Sequence, residues 1–221
     1  MRGGILSAAG TLIKRGGVEE LTMRTLGREV GVTAATLYGY FPSKEAVFEA
    51  LLEEETQTMN VALDRAAEGA SAGAERLFAY AVGYREFARS SPDFYGMFII
   101  KVEPPDWDGL ASGEDQRSVV LYNLLQEIQF AIAAGDIYPI SPSAVCRVLW
   151  TVAHGYVTLE RFDCLDTARL TESEQVRHFL EHMLLASKGV FTPDCHAALT
   201  EYVRTTTHAA GDDDKSGETV D

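Results

Sequence analysis

Apolar positions along this chain recur at intervals of three and four, the mark of helices with one buried face, and glycines and prolines punctuate them. Ile5, Ala8, Ala9, Leu12 and Ile13 share one face, and the Gly16-Gly17 pair ends that first helix. Met23, Leu26, Gly27 and Val30 repeat the pattern over a shorter stretch. Gly31 stops it, because glycine tolerates the left-handed backbone of a helix C-terminus. Val32 returns an apolar anchor to the core, and Thr33 caps a third helix at once. In that helix Leu37 and Phe41 point inward, while Thr33, Ala34, Ala35, Thr36, Tyr38, Gly39 and Tyr40 include a short, flat, hydroxyl-rich surface free of long side chains. Pro42 cannot continue the helix, and Ser43 is a good N-cap for a fourth one starting at Lys44. There Val47 pairs with Leu51 and Phe48 with Leu52, and the helix continues through Met59 and Leu63 towards Glu68.

The pattern continues beyond a turn at 69–74, GASAGA. Leu77, Tyr80, Ala81, Tyr84 and Ala88 form the stripe of a fifth helix, and Ser91-Pro92-Asp93 starts a sixth with Phe94, Tyr95, Met97, Phe98 and Ile99. The segment 102–115 reads as a loop, its paired prolines, glycines and carboxylates disfavouring regular structure, with Trp107 as a lid or a surface dock. Leu121, Leu124, Leu125, Ile128 and Ile132 define a seventh helix ending at Gly135. Ser141-Pro142 opens an eighth that is apolar on most sides, with Val145, Val148, Leu149, Trp150, Val152, Ala153, His154, Tyr156 and Val157. Thr171 and Glu174 form a capping box for a ninth with Val176, Phe179, Leu180, Met183 and Leu184, and Thr192-Pro193 opens one more.

Two short helices joined by a tight glycine turn, as at Met23 to Phe41, make a helix-turn-helix whose second helix is shaped for the major groove. Thr22, Arg24, Gly31, Val32, Thr36, Leu37, Tyr38, Phe41 and Lys44, with Gly17 before them, resemble the amino-terminal DNA-binding domain of TetR-type transcriptional regulators. The resemblance implies an all-α fold of nine to ten helices. A three-helix helix-turn-helix domain over residues 1–50 is joined by a connector helix to a helical ligand-binding and dimerisation domain over 51–209. Residues 210–221 have no apolar face and read as a disordered acidic tail. Trp150, His154 and Gly155 also resemble the Trp/His-Gly pattern of one carboxyl-terminal subclass of these regulators.

By the same resemblance Thr22, Tyr38, Tyr40 and Lys44 contact mainly phosphates, and Arg24, Thr33, Ala34, Ala35, Thr36 and Gly39 face the groove. Arg24 can bind guanine bidentately, and the Ala and Thr methyls can meet a thymine methyl. Many relatives carry His where this chain has Tyr40, and a bulkier residue where it has Gly39. A homodimer would set its two recognition helices roughly 34 Å apart on a pseudo-palindromic double-stranded DNA operator. Four phosphates neutralised per protomer would give a salt slope of about −7.

Charge complicates this picture and then supports it. The chain carries a formal −14, yet Arg2, Lys14, Arg15, Arg24, Arg28 and Lys44 outnumber Glu19, Glu20, Glu29, Glu45 and Glu49 by one within residues 1–50. The acidic excess therefore lies outside the helix-turn-helix, where it can repel phosphate and orient the protein, or simply confer solubility. No apolar run approaches the roughly 18 residues of a transmembrane helix, so no membrane partner is expected and the chain reads as cytoplasmic. Cys146, Cys164 and Cys195 include no CxxC pair, and the expectation is buried thiols rather than a disulfide framework.

In the second domain Tyr84, Phe87, Phe94, Tyr95, Phe98, Tyr122, Phe130, Trp150 and His154 are candidate linings for a small hydrophobic or aromatic effector, or plain core. Effector binding would shift the connector and separate the reading heads, the behaviour of a repressor. Val157, Val176, Phe179, Leu180, Met183 and Leu184 are the expected dimer interface, in a four-helix bundle. Two other readings stand beside this one. An effector-independent architectural DNA-binding dimer would have a filled second domain. An all-helical metal-dependent enzyme would use His178 and His182, but HFLEH departs from HExxH and suggests no third ligand, so these read as surface or interface histidines. No cofactor, no resident metal and no catalytic residue is expected.

Overall fold

The computed structural model of the protein describes residues 1–101, 106–112 and 119–209, with the side-chain surroundings of all these except 97–101, 108, 111–112 and 206–209. The tail at 210–221, the side chain of Phe98, and 102–105 and 113–115 of the expected loop lie outside that description. The fold is all-helical, with eleven α-helices and one 3₁₀ turn among the described residues. It divides into two compact units, Met1–Met59 with Ser90–Glu103, and Asn60–Arg89 with Pro104–Asp221.

The first unit is built from short-range caps around one apolar cluster. Helix α1 (Arg2–Gly16) buries Ile5, Leu6, Ala9, Leu12 and Ile13. A 3₁₀ turn at Val18–Glu20, which the spacing does not foretell, delivers Leu21 to the core at 1% exposure. Helix α2 (Met23–Val30) opens on a capping box in which Thr22 Oγ1 accepts the Thr25 N–H at 3.0 Å and Thr25 Oγ1 accepts the Thr22 N–H at 3.0 Å. It closes at Gly31, left-handed at φ 76°. The turn is tight enough that a Cβ on Gly27 would lie 2.9 Å from the Val32 carbonyl oxygen, so α2 needs a bare residue there. Helix α3 (Ala34–Tyr38) is capped by Thr33, whose hydroxyl accepts the Thr36 N–H at 3.2 Å. Helix α4 (Lys44–Ala66) is capped by Ser43, which accepts the Ala46 N–H at 3.2 Å. Residue 50 falls inside α4, so no linker marks it. The core of this unit joins Ile5, Leu12, Leu26, Leu37, Phe41, Val47 and Leu51 to Phe94 of α6 (Pro92–Lys101).

The second unit contains α5 (Ala74–Ser90), α7 (Trp107–Ser112), α8 (Val119–Ala134), α9 (Pro142–Arg161), α10 (Glu172–Ala186) and α11 (Pro193–Ala209), with the last turns of α4. Helix α7 corrects the reading of 102–115 as loop throughout. Asp106 supplies the missing start signal, its carboxylate accepting the Gly109 N–H at 3.1 Å as an N-cap does. Thr171 and Glu174 form the expected reciprocal box, the Glu174 carboxylate accepting the Thr171 N–H at 2.8 Å. Ser141 does not cap α9; its hydroxyl pairs with that of Ser143 at 3.0 Å. Gly83 on α5 lets α4 approach closely, since a Cβ there would sit 2.7 Å from the Ala62 carbonyl oxygen and 2.9 Å from Leu63 Cα. Phe78, Leu125, Ile128, Phe179, Leu180 and Phe191 are buried in this unit.

A charged cluster crosses the apolar interior. Arg85, 2% exposed, donates to both carboxylate oxygens of Glu160 on α9 and to Glu172 and Gln175 on α10, at 2.7 to 3.1 Å. Arg89 adds two bonds to Glu172 at 2.6 and 2.7 Å. Burial alone would raise the Glu172 carboxyl, but the hydrogen bonds from Arg89 and Arg85 overcome it and hold the group below the ordinary carboxylate range.

Candidate functional site

Thr22, Arg24, Thr33, Ala34, Ala35, Thr36, Tyr38, Gly39, Tyr40 and Lys44 are all exposed. Tyr38 and Tyr40 hold 55% and 43% of their surface open, which is unusual for large rings set so close together. Thr22, Thr33 and Thr36 serve the caps first: the Thr33 and Thr36 hydroxyls are paired at 3.0 Å, and each keeps capacity for one more partner. Arg24 lies in the first turn of α2 and Lys44 in the first turn of α4. A cation at a helix N-terminus works against the helix dipole, so neither is there to stabilise its own helix. Both suit a neighbouring anion. Gly39 has φ −72°, which any residue adopts, so its lack of a side chain is a property of the surface rather than of the backbone. One cation had no signal in the sequence pattern. Arg2 sits with its guanidinium carbon 4.4 Å from the centre of the Phe41 ring, beside Tyr40, a contact that the fold alone creates.

In the second unit Tyr84, Trp150 and His154 come together in an aromatic cluster that also takes in Trp107. The Tyr84 hydroxyl bonds His154 Nδ1, and the Trp150 ring lies 5.0 Å from that of His154. Trp107 on α7 is 5.9 Å from Trp150, and Arg147 stands over the Trp107 ring at 5.1 Å. Burial pushes the His154 imidazole down to about 4, so it is neutral at physiological pH. Phe87 is buried and Tyr122 half-buried. Three expectations are corrected. Phe94 and Tyr95 belong to the first unit, Phe94 within its core cluster, because α6 packs there. Phe130 is 53% exposed on α8, with its ring beside Gly73.

The expected dimer residues are also reassigned. Phe179 and Leu180 are fully buried, Met183 is 2% exposed and Val157 3%; Leu184 is buried and Val176 half-buried. The strongest apolar stripe of each helix goes to the unit's own core. A weaker stripe remains outside: Val148, Thr151, Gly155 and Leu159 on α9, then Phe162 at 70% exposure, and Leu185 at 74% on α10.

Where α9 meets α10, the Tyr156 hydroxyl lies 2.7 Å from His178 Nδ1, and the His178 and His182 rings on α10 are 4.3 Å apart. Burial and the adjacent His182 hold His178 below the ordinary imidazole range. Among the described residues no group of three or more His, Cys, Asp and Glu could hold a metal ion. Cys146 and Cys195 are buried, their thiols pushed up to about 12 and about 11, whereas Cys164 is exposed, contrary to the expectation of buried thiols. Among the described residues no helix is long and apolar enough to cross a membrane.

Known proteins bear directly on this arrangement. The family model for bacterial regulatory proteins of the tetR family matches residues 5–51, and that for the tetracyclin repressor-like C-terminal domain matches 77–186. The nucleoid occlusion factor SlmA of Haemophilus ducreyi is 39% identical over 85 residues, which are 38% of this chain and 41% of that protein, so the chain spans about two fifths of that relative's length. A protein of unknown function from Rhodococcus sp. RHA1 is 26% identical with a TM-score of 0.70, over 86% of this chain and 95% of that one. A TetR-family transcriptional regulator from Haemophilus influenzae RD shares the fold at a TM-score of 0.62 and 16% identity, over 86% of this chain and 96% of that one.

Proposed function

We infer that this chain, which belongs to the tetR family of bacterial regulatory proteins and is a DNA-binding regulator, works as a repressor released from a pseudo-palindromic operator by a small hydrophobic or aromatic effector. One observation carries the DNA half of this reading: α3 presents small and hydroxyl-bearing residues to solvent, with Arg24 and Lys44 flanking it in helix first turns where they oppose the dipole. Arg24 and the α3 residues Ala34, Ala35 and Thr36, with Thr33 and Gly39, read bases; Thr22, Tyr38, Tyr40 and Lys44 hold phosphates. Two copies join through the outer stripe of α9 and α10, from Val148 to Leu159 with Leu185, rather than through the buried stripe.

The effector half draws its support from Tyr84, Trp107, Trp150 and His154, an apolar aromatic group with a neutral imidazole and a phenol as its polar elements. The reading also assigns the chain to the Trp/His-Gly subclass, with the packing of Trp150 against His154 as its support. The protein acts in the cytoplasm, where its operator is.

The second reading is the architectural one, favoured by the similarity to a nucleoid occlusion factor over 85 residues. Selection of bound fragments from random duplex DNA tests both. A pseudo-palindrome with a salt slope near about −7 supports the dimeric operator reader. Enrichment of no sequence by folded, dimeric protein overturns it. Indifference of the selected complex to a library of aromatic small molecules would favour the architectural reading.

A further inference from the structure

The best-prepared unassigned side chains lie on α10. His178 and His182 are four residues apart, so their rings share one helix face, with centroids separated by 4.3 Å. Each ring already has its Nδ1 engaged. His182 Nδ1 lies 2.7 Å from the backbone carbonyl oxygen of His178. A carbonyl oxygen can only accept, so Nδ1 of His182 carries a proton, and the lone pair of the neutral ring is on Nε2. His178 Nδ1 is 2.7 Å from the Tyr156 hydroxyl oxygen, and when it donates there its Nε2 is likewise a lone-pair nitrogen. A ring pinned through one nitrogen by a hydroxyl or carbonyl, with the other nitrogen free, is the preparation that metal-binding imidazoles receive. The Tyr156 ring packs against both, at 5.8 Å from His178 and 5.3 Å from His182. In the single chain His182 is exposed and His178 half-buried, which leaves a path for an ion before two copies join.

We propose that His178 and His182 form a two-imidazole chelate for a divalent transition-metal ion of the zinc, nickel and copper class, with Tyr156 as the positioning residue. Imidazole nitrogens select that class. Magnesium and calcium require oxygen ligands, and the carboxylates that act on His178, Glu181 and Glu160, are paired with Arg177 at 3.9 Å and with Arg85 at 2.7 Å. The remaining coordination positions of a tetrahedral ion go to water, since no third protein ligand joins the pair among the described residues.

The test uses the full chain stripped of metal and titrated with Zn²⁺ alone against a chromogenic competitor, in the absence of DNA. Its outcome is therefore separate from that of the repressor reading. Zn²⁺ affinity is expected to fall at least about tenfold in both His182→Ala and His178→Ala. In Tyr156→Phe, where both ligands remain, it falls by about tenfold or more. His182 is a surface residue, so its replacement leaves the fold intact, and circular dichroism checks the other two. The electron paramagnetic resonance spectrum of added Cu²⁺ is expected to show two coordinating nitrogens in the wild type and one in each single histidine variant. Equal Zn²⁺ affinity of the wild type and the double variant H178A/H182A would overturn the proposal, as would a Cu²⁺ spectrum unchanged between them.

Discussion

Lowering the pH from 7 to 5 will destabilise the second unit through His154 alone among the strongly shifted groups. Its imidazole is held at about 4 in the fold by burial, against about 6.5 when the chain is open. Between those values the unfolded state binds a proton that the native state refuses, so stability falls as pH falls through that window. At pH 5 the two constants translate into about 2 kcal/mol, and water access to part of the ring reduces this to about 1–2 kcal/mol. The other shifted groups, the Glu55 carboxyl raised by burial, the His178 imidazole lowered by burial and the Glu172 carboxyl held down by Arg89 and Arg85, act alike in wild type and variant and cancel from the comparison. Both tryptophans of the chain, Trp107 and Trp150, lie in the cluster with His154, so their fluorescence reports its unfolding. The assay is urea denaturation of the wild type and of His154→Gln at pH 7 and pH 5. The wild type should lose about 1–2 kcal/mol more than the variant over that interval. An equal loss in both would refute the reasoning, since the titrating group would then lie elsewhere.

Arg85→Met leaves Glu160, 11% exposed, without its cation and should cost about 3–5 kcal/mol in urea denaturation; adding Glu160→Met should recover most of it, and a single-variant loss below about 1 kcal/mol would remove the cluster from any structural role. Gly83→Ala drives a methyl into the α4 backbone and should cost about 1–3 kcal/mol by the same measurement, whereas a neutral result would mean that the two helices can part freely. Arg24→Ala should weaken binding to the selected operator by about 1–3 kcal/mol and relax specificity at one base in each half-site, and an equal loss on all sequences would reassign Arg24 to phosphate.

The helix-turn-helix was legible because its signals are local. Thr22, Gly31, Thr33 and Ser43 each act on a backbone group within a few residues, so spacing alone locates the helix ends. The helix at Trp107–Ser112 was hidden by glycines and flanking prolines, which outweighed a single capping Asp106 in the pattern. Periodicity also says which helix face is apolar without saying what covers it. Phe179, Leu180 and Met183 made the strongest stripe and therefore went to the core, while the weaker stripe through Val148 and Leu159 was left outside. The aromatic cluster was half legible: Tyr84, Trp150 and His154 lay on stripes, but their meeting with Trp107 and Arg147 depends on long-range packing. Long-range packing also moved Phe94 from the expected effector lining into the first unit.

That displacement of Phe94 affects how the protein is made. The first unit is not a continuous stretch of chain: its core is closed by a ring that leaves the ribosome 35 residues after Met59, and Phe94 fills the space beside Gly10, its ring tip 3.7 Å from where a Cβ on that glycine would stand. At a synthesis rate of roughly 5–20 residues per second, the three helices of the amino-terminal unit spend about 2–7 s with an open hollow before their last core residue emerges. During nascent-chain growth the reading head is therefore incomplete until all of α5 and the first turn of α6 have been translated. An amino-terminal fragment ending at Met59 would retain the recognition surface but lack the aromatic ring that seats α1.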